Sequence, residues 1–379
     1  MITDPLAVFL VLAGVVYLSI FLEGRYRLFR AFSAALVGIL LAMILSNAGV
    51  IPGDSRAYDL LIDPGVSLGI VLILLSVDLR SVLEAGPRML LAFGIGAVGT
   101  ALGSFLSALV LAPTVGPETW KLAGQFTGTY TGGGVNFAAL GQAFETSSEL
   151  FSAAIAADVL ITALWMMVCL TVPVLLGRTQ DRSDSQPTPT ASDKPMTLER
   201  ALYSSGRSME LADAAALAVI AFGSVWAASS LGGLLPQIPE VLWLTTIALA
   251  IAQLPVVKRL AGAAMWGYYL LLLFLSTNGA QSVVANIVTV GPAVVYFAIG
   301  TVVLHGVTIF GLGRLFRIDW PTLVVASQAN VGGPPSAMAL ATARGYMESL
   351  LPGVAVGLLG YALGNYWGFL IGSVVRSML

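Results

Sequence analysis

The sequence predicts an all-α polytopic membrane protein made of two inverted repeats, each with about five transmembrane helices plus one broken or re-entrant helical element. Three observations lead to this fold class. Hydrophobic residues fill 57% of the 379 positions and charged residues only 10%, against roughly a quarter charged in soluble domains. Apolar stretches of about 20 residues, long enough to span a hydrocarbon core, recur along the chain. Related glycine-rich segments also occur once in each half.

Twelve apolar segments are predicted, in two sets of six. The first set covers residues 5–22, 31–50, 64–83, 88–112, 118–144 and 150–177, and the second covers 210–231, 239–256, 260–279, 290–313, 319–343 and 347–375. The first segment is expected to be a retained helix, because Glu23, Arg25 and Arg27 follow it where a signal peptide would have a small-residue cleavage site. A signal anchor is the alternative.

A polar stretch separates the two sets of segments. It is rich in Ser, Thr, Pro and charged residues, a composition that buries too little apolar surface to fold alone. The chain is therefore divided into a first transmembrane repeat (1–177), a polar cytoplasmic linker (178–208) and a second transmembrane repeat (209–379).

Several function classes find no support in the composition. Cys169 is the single cysteine, which excludes an intrachain disulfide and a cysteine metal cluster. The net charge of −2 and the lack of a basic block argue against nucleic acid as a partner. No GxSxG, HExxH or Walker-type phosphate loop is present, so neither an enzyme nor an organic cofactor is predicted.

Two blocks of sequence match between the halves at one offset of 200 residues. "TGGGVNFAALGQA", which contains Gly132 and Gly133, aligns with "VGGPPSAMALATA", which contains Gly332 and Gly333. At the same offset "LLSVD" aligns with "FLSTN", which places Asn278 opposite Asp78. Small residues match easily by chance, but two blocks that share one offset favour an internal duplication.

Loop charge predicts how the two repeats are oriented, since short cytoplasmic loops carry an excess of Lys and Arg. If segment 118–144 dips into the membrane and returns, the basic loops and the central linker all lie on one side, with the N-terminus outside. If the segment crosses fully, the linker lies outside and breaks the rule. The re-entrant choice leaves five spans per half, so the second repeat enters with the opposite orientation, as in secondary transporters. Broken helices that cross the membrane are the alternative.

Both glycine-rich segments are predicted to interrupt their helices. Gly132, Gly133 and Gly134 permit backbone conformations closed to other residues, while Pro334 and Pro335 lack backbone donors. Irregular backbone at membrane depth is tolerated only inside protein or beside a wet cavity. There it frees carbonyls for cations and leaves helix N-termini for anions. Close helix packing through glycine is the alternative explanation.

Neutral oxygen-bearing side chains flank both breaks, and hard cations such as sodium favour oxygen ligands. The candidate ion- and substrate-binding residues are Thr129, Thr131, Gly132, Gly133, Gly134, Asn136, Asp158, Gln328, Asn330, Gly332, Gly333, Ser336 and Asn365, and the candidate sodium ligands are Asp158, Asn136 and Asn330.

Asp158 carries the strongest functional signal, because an ionisable residue in the middle third of a membrane segment is costly. It is expected to ligate a cation when ionised or to carry a proton. A structural carboxylate that accepts hydrogen bonds from the broken backbone is the alternative. His305 is expected to be a packed, hydrogen-bonded side chain, and Asp78 and Arg80 form either a solvated interfacial pair or part of the site.

These stretches resemble a known family. "TGTYTGGGVNFAALGQ" followed by "IAADVLI", with "ANVGGPPSAMALATARG" in the second half, resembles the YjcL-like membrane family, which is uncharacterised, over nearly the full chain. More distantly, a broken helix followed by an intramembrane aspartate is similar to the superfamily of sodium/proton antiporters, bile acid/sodium symporters and sodium/glutamate symporters. That resemblance implies a scaffold domain and a mobile core domain whose crossed breaks hold ion and substrate, with Asp158 matching the antiporters' ion-binding aspartate. Ala157 stands where those antiporters usually have a second acidic or amide residue, which favours symport.

The predicted function is an ion-coupled secondary transporter with elevator-type alternating access. The expected coupling ion is sodium, and the expected solute is small and organic, with a carboxylate suited to polar side chains at helix N-termini. The core domain is assigned to 88–177 and 290–379, and the scaffold domain, with a homodimer contact, to 1–63 and 209–256. The expected location is the cytoplasmic membrane of a bacterium or an equivalent organelle membrane. A cation/proton antiporter using Asp158 and a non-transporting receptor or scaffold are the alternatives.

Overall fold

The computed structural model describes residues 1–175, 208–235, 237–282 and 284–379. Within these ranges the regular secondary structure is entirely helical, which confirms the predicted all-α class. The predicted linker lies outside the described residues except for Ser208.

The first half begins with two long antiparallel helices and ends with a long helix, α9. Its helices are α1 (Pro5–Arg25), α2 (Arg27–Asn47), α3 (Arg56–Leu60), α4 (Val66–Leu74), α5 (Leu79–Leu83), α6 (Pro87–Val115), α7 (Thr119–Gly132), α8 (Gly134–Ala143) and α9 (Ser148–Leu175). A π-helical turn, Leu61–Gly65, joins α3 to α4 without a break in the chain's helical course.

The second half repeats this order with fewer interruptions. Its helices are α10 (Leu211–Leu234), α11 (Glu240–Ala252), α12 (Ala263–Gln281), α13 (Val284–Leu315), α14 (Trp320–Ala343) and α15 (Met347–Met378). By length and composition, six of the described helices are able to cross a membrane, and they are Pro5–Arg25, Pro87–Val115, Ser148–Pro173, Leu211–Leu234, Gly291–Leu315 and Met347–Met378. Ala34–Asn47 and Glu240–Ala252 are shorter apolar helices.

Local sequence explains where several of these helices start. The Asp4 carboxylate accepts a hydrogen bond from the Ala7 amide at 2.9 Å, immediately before the proline that opens α1. Asp319 caps α14 in the same way, by accepting from the Thr322 amide at 3.0 Å. Aspartate caps the free amide groups of a first turn, and proline at the first helical position gives up no hydrogen bond.

The predicted segment 64–83 is wrong at its C-terminal end. Helix α4 stops at Leu74, nine residues earlier, and the helical course instead starts upstream at Arg56. The Ser76 hydroxyl donates to the Ile73 carbonyl at 2.6 Å, and the Asp78 carboxylate accepts from the Arg80 amide at 2.9 Å. These local bonds compete with the helical pattern and produce a turn where apolar composition alone indicated a continuous helix.

Helices α7 and α8 form a hairpin that returns to the side from which it enters. Lys121 Nζ donates to the Glu145 carbonyl at 2.7 Å, and Gln125 Nε2 donates to the Phe137 carbonyl at 3.4 Å. A straight helix would hold residues 121 and 145 about 36 Å apart. The first glycine-rich segment is therefore re-entrant, and the alternative of a crossing broken helix is excluded for it.

Helix α14 folds back in the same manner at Gly333. A β-carbon placed on Gly353 of α15 would contact Val325 and lie 3.5 Å from the Ala337 β-carbon, although a straight helix separates those two residues by about 18 Å. The turn residues have matching conformations, with φ 93° and ψ 178° at Gly133 and φ 73° and ψ −171° at Gly333. Both conformations need glycine, because an L side chain is strained at positive φ.

The two hairpins enter from opposite ends of the molecule. Helix α9 begins at Ser148, beside the open end of the first hairpin, and the Leu170 carbonyl near its other end accepts a hydrogen bond from Arg344, at the open end of the second hairpin. The intervening helix is about 33 Å long, comparable to a hydrocarbon core. The repeats are therefore inverted relative to each other.

Equivalent elements of the two repeats pack against each other at three levels. A β-carbon on Gly69 of α4 would lie 3.1 Å from the Gly267 carbonyl oxygen of α12. One on Gly103 of α6 would lie 2.9 Å from the α-carbon of Thr301 in α13. At the third level the two hairpin turns meet. The approach of backbone to backbone needs small residues, which are the usual means of close helix packing in membranes.

The helices pack as two groups. In the hairpin group, the two hairpins pack with α6, α9, α13 and α15, and in the flanking group, α1, α2, α4 and α10–α12 pack with one another. Helices α4 and α12 correspond to the predicted segments 64–83 and 260–279, which lie outside both the predicted core domain and the predicted scaffold domain. Their main contacts are with the flanking group. Whether the groups move relative to each other stays a prediction.

Substitution of Gly360 by alanine is expected to destabilise the protein, whereas alanine at Gly223 is expected to be neutral. A β-carbon on Gly360 would contact the Thr131 carbonyl and lie 2.7 Å from the Gly132 α-carbon, while one on Gly223 meets nothing within 4 Å. Overpacking of this kind costs about 1–3 kcal/mol. Thermal unfolding in detergent measures both variants, and equal melting temperatures would contradict the packing described here.

Residues 147 and 347 are expected to face opposite sides of the membrane. Both lie beside the open ends of the hairpins, Ser147 is exposed and Met347 is 56% exposed. In a background with Cys169 replaced by serine, an impermeant maleimide added outside cells should label only one of Ser147→Cys and Met347→Cys. Labelling of both from the same side would overturn the inverted arrangement.

Candidate functional site

The turns of the two hairpins touch each other near the middle of the hairpin group. A β-carbon on Gly133 would lie 3.7 Å from the Gly333 α-carbon, and one on Gly333 would lie 3.5 Å from the Gly132 carbonyl oxygen. The ring of Tyr361, from α15, lies against both turns: its Cε1 atom is 3.4 Å from the β-carbon position of Gly133 and 3.6 Å from that of Gly333. The returning arms of both hairpins begin at this point, so two helix N-termini meet there.

A cavity of about 450 Å³ lies beside the hairpin turns. Its volume is within the range of about 300–1,000 Å³ that is usual for small-molecule sites. Gly133, Gly134 and Gly332 form one wall, α9 forms another, and α4 and α12 close the opposite side. The cavity therefore lies between the hairpin group and the flanking group. Polar side chains that line it are Ser76, Asp158, Thr162, Tyr268, Gln328, Ser336 and Tyr361.

Asp158 projects from α9 into this cavity. Its Oδ2 atom accepts a long hydrogen bond of 3.5 Å from the Thr129 hydroxyl, whereas Oδ1 is buried without a hydrogen-bond partner. The Tyr130 hydroxyl lies near the same carboxyl group, although its geometry there is not that of a hydrogen bond. Asp158 thus keeps acceptor capacity for a cation or for a donor group of a ligand.

Gln328 is the second side chain with unused hydrogen-bonding capacity. It is fully buried, it lines the cavity, and neither Nε2 nor Oε1 has a partner. Its Nε2 atom is 2.9 Å from the position of a β-carbon on Gly332, where Ser336 also lies. An unpaired buried polar group costs about 1–3 kcal/mol, so a ligand that pairs with this amide would be stabilised.

Asn136 and Thr131 lie behind the first hairpin turn, against α15. Asn136 Nδ2 donates to the Gly360 carbonyl at 3.1 Å, and its Oδ1 atom is left without a partner. The hydroxyl of Thr131 is also buried and unpaired. Both side chains therefore offer neutral oxygens, although neither lines the cavity itself.

Two other predicted site residues lie outside the cavity. With its amide nitrogen facing the neighbouring carbonyls, Asn330 donates to Phe93 and to Ala326, each at 3.2 Å, and so joins α14 to α6. Asn365 donates to the Thr245 hydroxyl of α11 at 2.8 Å. Of the three predicted sodium ligands, the structure places Asp158 in the cavity, Asn136 behind the turn and Asn330 in a helix–helix interface.

His305 is packed and hydrogen-bonded, as predicted. Its Nδ1 lies 2.9 Å from the Gly96 carbonyl oxygen, and its Nε2 lies 2.9 Å from the Ser327 hydroxyl, which also accepts from Trp165 Nε1 at 2.9 Å. In the described part of the chain, no three His, Cys, Asp or Glu side chains come together as a metal site.

Asp78 lies in the turn after α4, on the surface of the flanking group. Lys258 Nζ donates to its Oδ1 at 2.5 Å, and this hydrogen bond holds the pKa of the Asp78 carboxyl below its usual value. The structure places this ion pair outside the cavity lining.

Tyr361, Tyr268, Ser76 and Thr162 line the cavity although the sequence did not identify them. A signal for Tyr361 was present: glycines recur every three or four residues along α15, from Gly353 to Gly372. Such a stripe is typical of a helix that packs closely against neighbouring backbone. It indicates that α15 contacts both hairpins, and so that a side chain on its glycine-rich face lies near their turns.

Comparison with known proteins gives two findings. The family described as "Protein of unknown function (DUF819)" matches residues 7–378. The chain is also similar to "Uncharacterized membrane protein YjcL" of Bacillus subtilis (strain 168), with 31% identity over 374 residues, which cover 95% of this chain and 94% of the relative.

Substitution of Asn330 and of Gln328 by leucine is expected to have opposite effects on ligand-free stability. Asn330→Leu removes an amide that bonds two carbonyls, and it should lower stability by about 1–3 kcal/mol. Gln328→Leu removes an amide without partners and should leave the melting temperature unchanged or raise it. Thermal unfolding of the purified protein compares the two, and a larger loss for Gln328→Leu would show that its amide has partners in the empty state.

Proposed function

We propose that this chain, which belongs to the DUF819 family of membrane proteins of unknown function, is an ion-coupled secondary transporter of a small organic solute. The observation that carries the proposal is the contact between the turns at Gly133 and Gly333, beside a cavity that contains Asp158. Inverted repeats whose interrupted helices meet near the membrane midplane are a typical construction of secondary transporters. Helix ends and unpaired polar side chains at that depth are costly, and a bound ion or solute would offset that cost.

Asp158 is proposed to bind the coupling cation, and sodium is the favoured ion. The unpaired Oδ1 atom and the weakly held Oδ2 atom supply negative charge. Further candidate ligands for this cation are the neutral side-chain oxygens on the same hairpin, from Thr129, Thr131 and Asn136. A carboxylate surrounded by apolar helices is costly to keep ionised, and a bound cation offsets that cost.

Movement of the hairpin group against the flanking group is the proposed means of alternating access. The cavity lies between the two groups, so a sliding motion would expose it to one side and then to the other. The hydrogen bonds between Asn365 and Thr245 and between Tyr366 and Thr246 join the groups and would be exchanged during the movement. The flanking group is the proposed scaffold and homodimer contact, and the bacterial cytoplasmic membrane is the proposed location.

A cation/proton antiporter is the second candidate, because Asp158 is the one carboxyl group among the residues that line the cavity. A single carboxyl group that binds a proton and a sodium ion in turn is sufficient for exchange. Proteoliposomes with an internal pH dye distinguish the two mechanisms: sodium addition without solute should change internal pH only in an antiporter.

Sodium is expected to raise the melting temperature of the purified protein above its value in potassium at equal ionic strength. A ligand at 100 times its Kd stabilises the native state by about 2.7 kcal/mol. The stabilisation should disappear in Asp158→Asn. It should persist in the control Asp59→Asn, which removes an exposed carboxylate outside the cavity. If sodium has no effect on the unmodified protein, the proposed sodium site is wrong.

A further inference from the structure

We propose that the solute is a small organic cation, whose ammonium group binds Asp158 and whose opposite end carries a polar group that binds Gln328. The inference rests on the transport function proposed above and narrows its solute class. It differs from the carboxylate-bearing solute that the polar side chains and helix N-termini indicated from the sequence alone.

The charge of the cavity lining is the first reason. Among its lining residues Asp158 is the single charged side chain, and Lys, Arg and His are absent from that set. The helix N-termini at the two turns each carry about half a positive elementary charge, so together they balance the carboxylate at most. An anionic solute would therefore find a net countercharge only when a coupling cation already occupies Asp158, whereas an organic cation pairs with the carboxylate directly.

The hydrogen-bonding capacity of Asp158 is the second reason. Its Oδ1 atom has no hydrogen-bond partner, its Oδ2 atom accepts the long 3.5 Å bond from Thr129, and the Tyr130 hydroxyl lies near the same carboxyl group without hydrogen-bond geometry. An ammonium group brings N–H donors and a positive charge, and charge-assisted hydrogen bonds are about twice as strong as neutral ones. No basic side chain in the lining competes for this position.

The shape and surface of the cavity suit the body of an organic molecule. Tyr361 enters from the hairpin group and Tyr268 from the flanking group, and aromatic rings attract organic cations. The wall also contains aliphatic and thioether side chains, which are Ile73, Val159, Met166, Leu271 and Leu275. A volume of about 450 Å³ accommodates a small molecule with a short apolar body.

The second polar group of the solute follows from Gln328. This buried amide has an unused donor and an unused acceptor, and Ser336 lies beside it. A carboxamide or a hydroxyl group can satisfy both at once, and an apolar end would leave both unpaired. The carboxylate and the amide thus come from different helices, α9 and α14, and most of the remaining lining is apolar.

The single carboxylate in the cavity lining also constrains the transport mechanism. Since the lining contains a single carboxylate, the organic cation and the coupling cation bind Asp158 in turn and compete with each other. The transport cycle is then an exchange of an organic cation for sodium or protons across the membrane, with the Asp158 carboxylate neutralised by one bound cation or proton in each direction.

Binding of matched probes to the purified full-length protein tests this inference. 6-Aminohexanamide carries an ammonium group at one end and a carboxamide at the other, hexanamide lacks the ammonium group, and adipamate has a carboxylate in its place. Phenethylammonium, phenethyl alcohol and hydrocinnamate form a second such set. In calorimetry near neutral pH, where these amines are protonated, and without sodium, the ammonium member of a set should bind at least about tenfold more tightly than its uncharged partner. Sodium should weaken that binding.

Three variants assign the contacts. Asp158→Asn should abolish the preference for the ammonium compounds, and Asp59→Asn should keep it. Gln328→Leu should weaken the binding of 6-aminohexanamide, which has a carboxamide, and leave the binding of phenethylammonium unchanged. An equal loss for both compounds would contradict the assignment of the polar end to Gln328.

The possible failures are distinguishable. Tighter binding of the carboxylates, or no binding of either ammonium compound, would overturn the organic-cation inference. If Asp158-dependent stabilisation by sodium persists in that case, the proposed ion-coupled transport stands. Conversely, ammonium compounds that bind at Asp158 without any ion-driven flux in proteoliposomes would support the site and contradict the transport function.

Discussion

The contact between the turns at Gly133 and Gly333 is the constraint on which the rest of the structure depends. Two segments of the chain that reverse direction inside a hydrocarbon layer expose irregular backbone, which is tolerated only when protein surrounds it. Glycine permits the positive φ of each turn and lets the turns approach to van der Waals distance. Helix α15 completes the enclosure, because Gly360 packs on Gly132 and Gly357 packs on Pro334 without intervening side chains.

The position of the cavity follows from this contact. Both hairpins stop at the turns rather than crossing the molecule. The space beside the turns is therefore lined by side chains of α4, α9 and α12. Most of those side chains are apolar, and so the few polar groups have no alternative partners. Asp158 and Gln328 remain unpaired because the hairpins bring them to a cavity instead of to a helix–helix interface. Asn330, two residues from Gln328, faces α6 and is satisfied by carbonyl groups there.

Much of the architecture was predictable from composition and from the repeated offset. The breaks at Gly133 and Gly333 were predictable from the backbone freedom of glycine, which is a local property. The re-entrant first segment and the inverted repeats were predictable from the number of basic residues in each loop. The end of α4 was not predicted, since it depends on side-chain bonds by Ser76 and Asp78 that apolar composition does not register. The placement of Asn365 against Thr245 was equally hidden, because it depends on which helix lies opposite.

By itself, the sequence determined the membrane class, the two repeats and the positions of both breaks, and it singled out Asp158 as a candidate binding residue. Each of these depends on the chemistry of a residue or on its spacing along the chain. Only the tertiary structure decided which polar groups stay unpaired, that Tyr361 and Tyr268 share a cavity with Asp158, and that the lining carries no basic side chain. These properties belong to a space enclosed by residues far apart in sequence, and such a space exists only after the helices have packed.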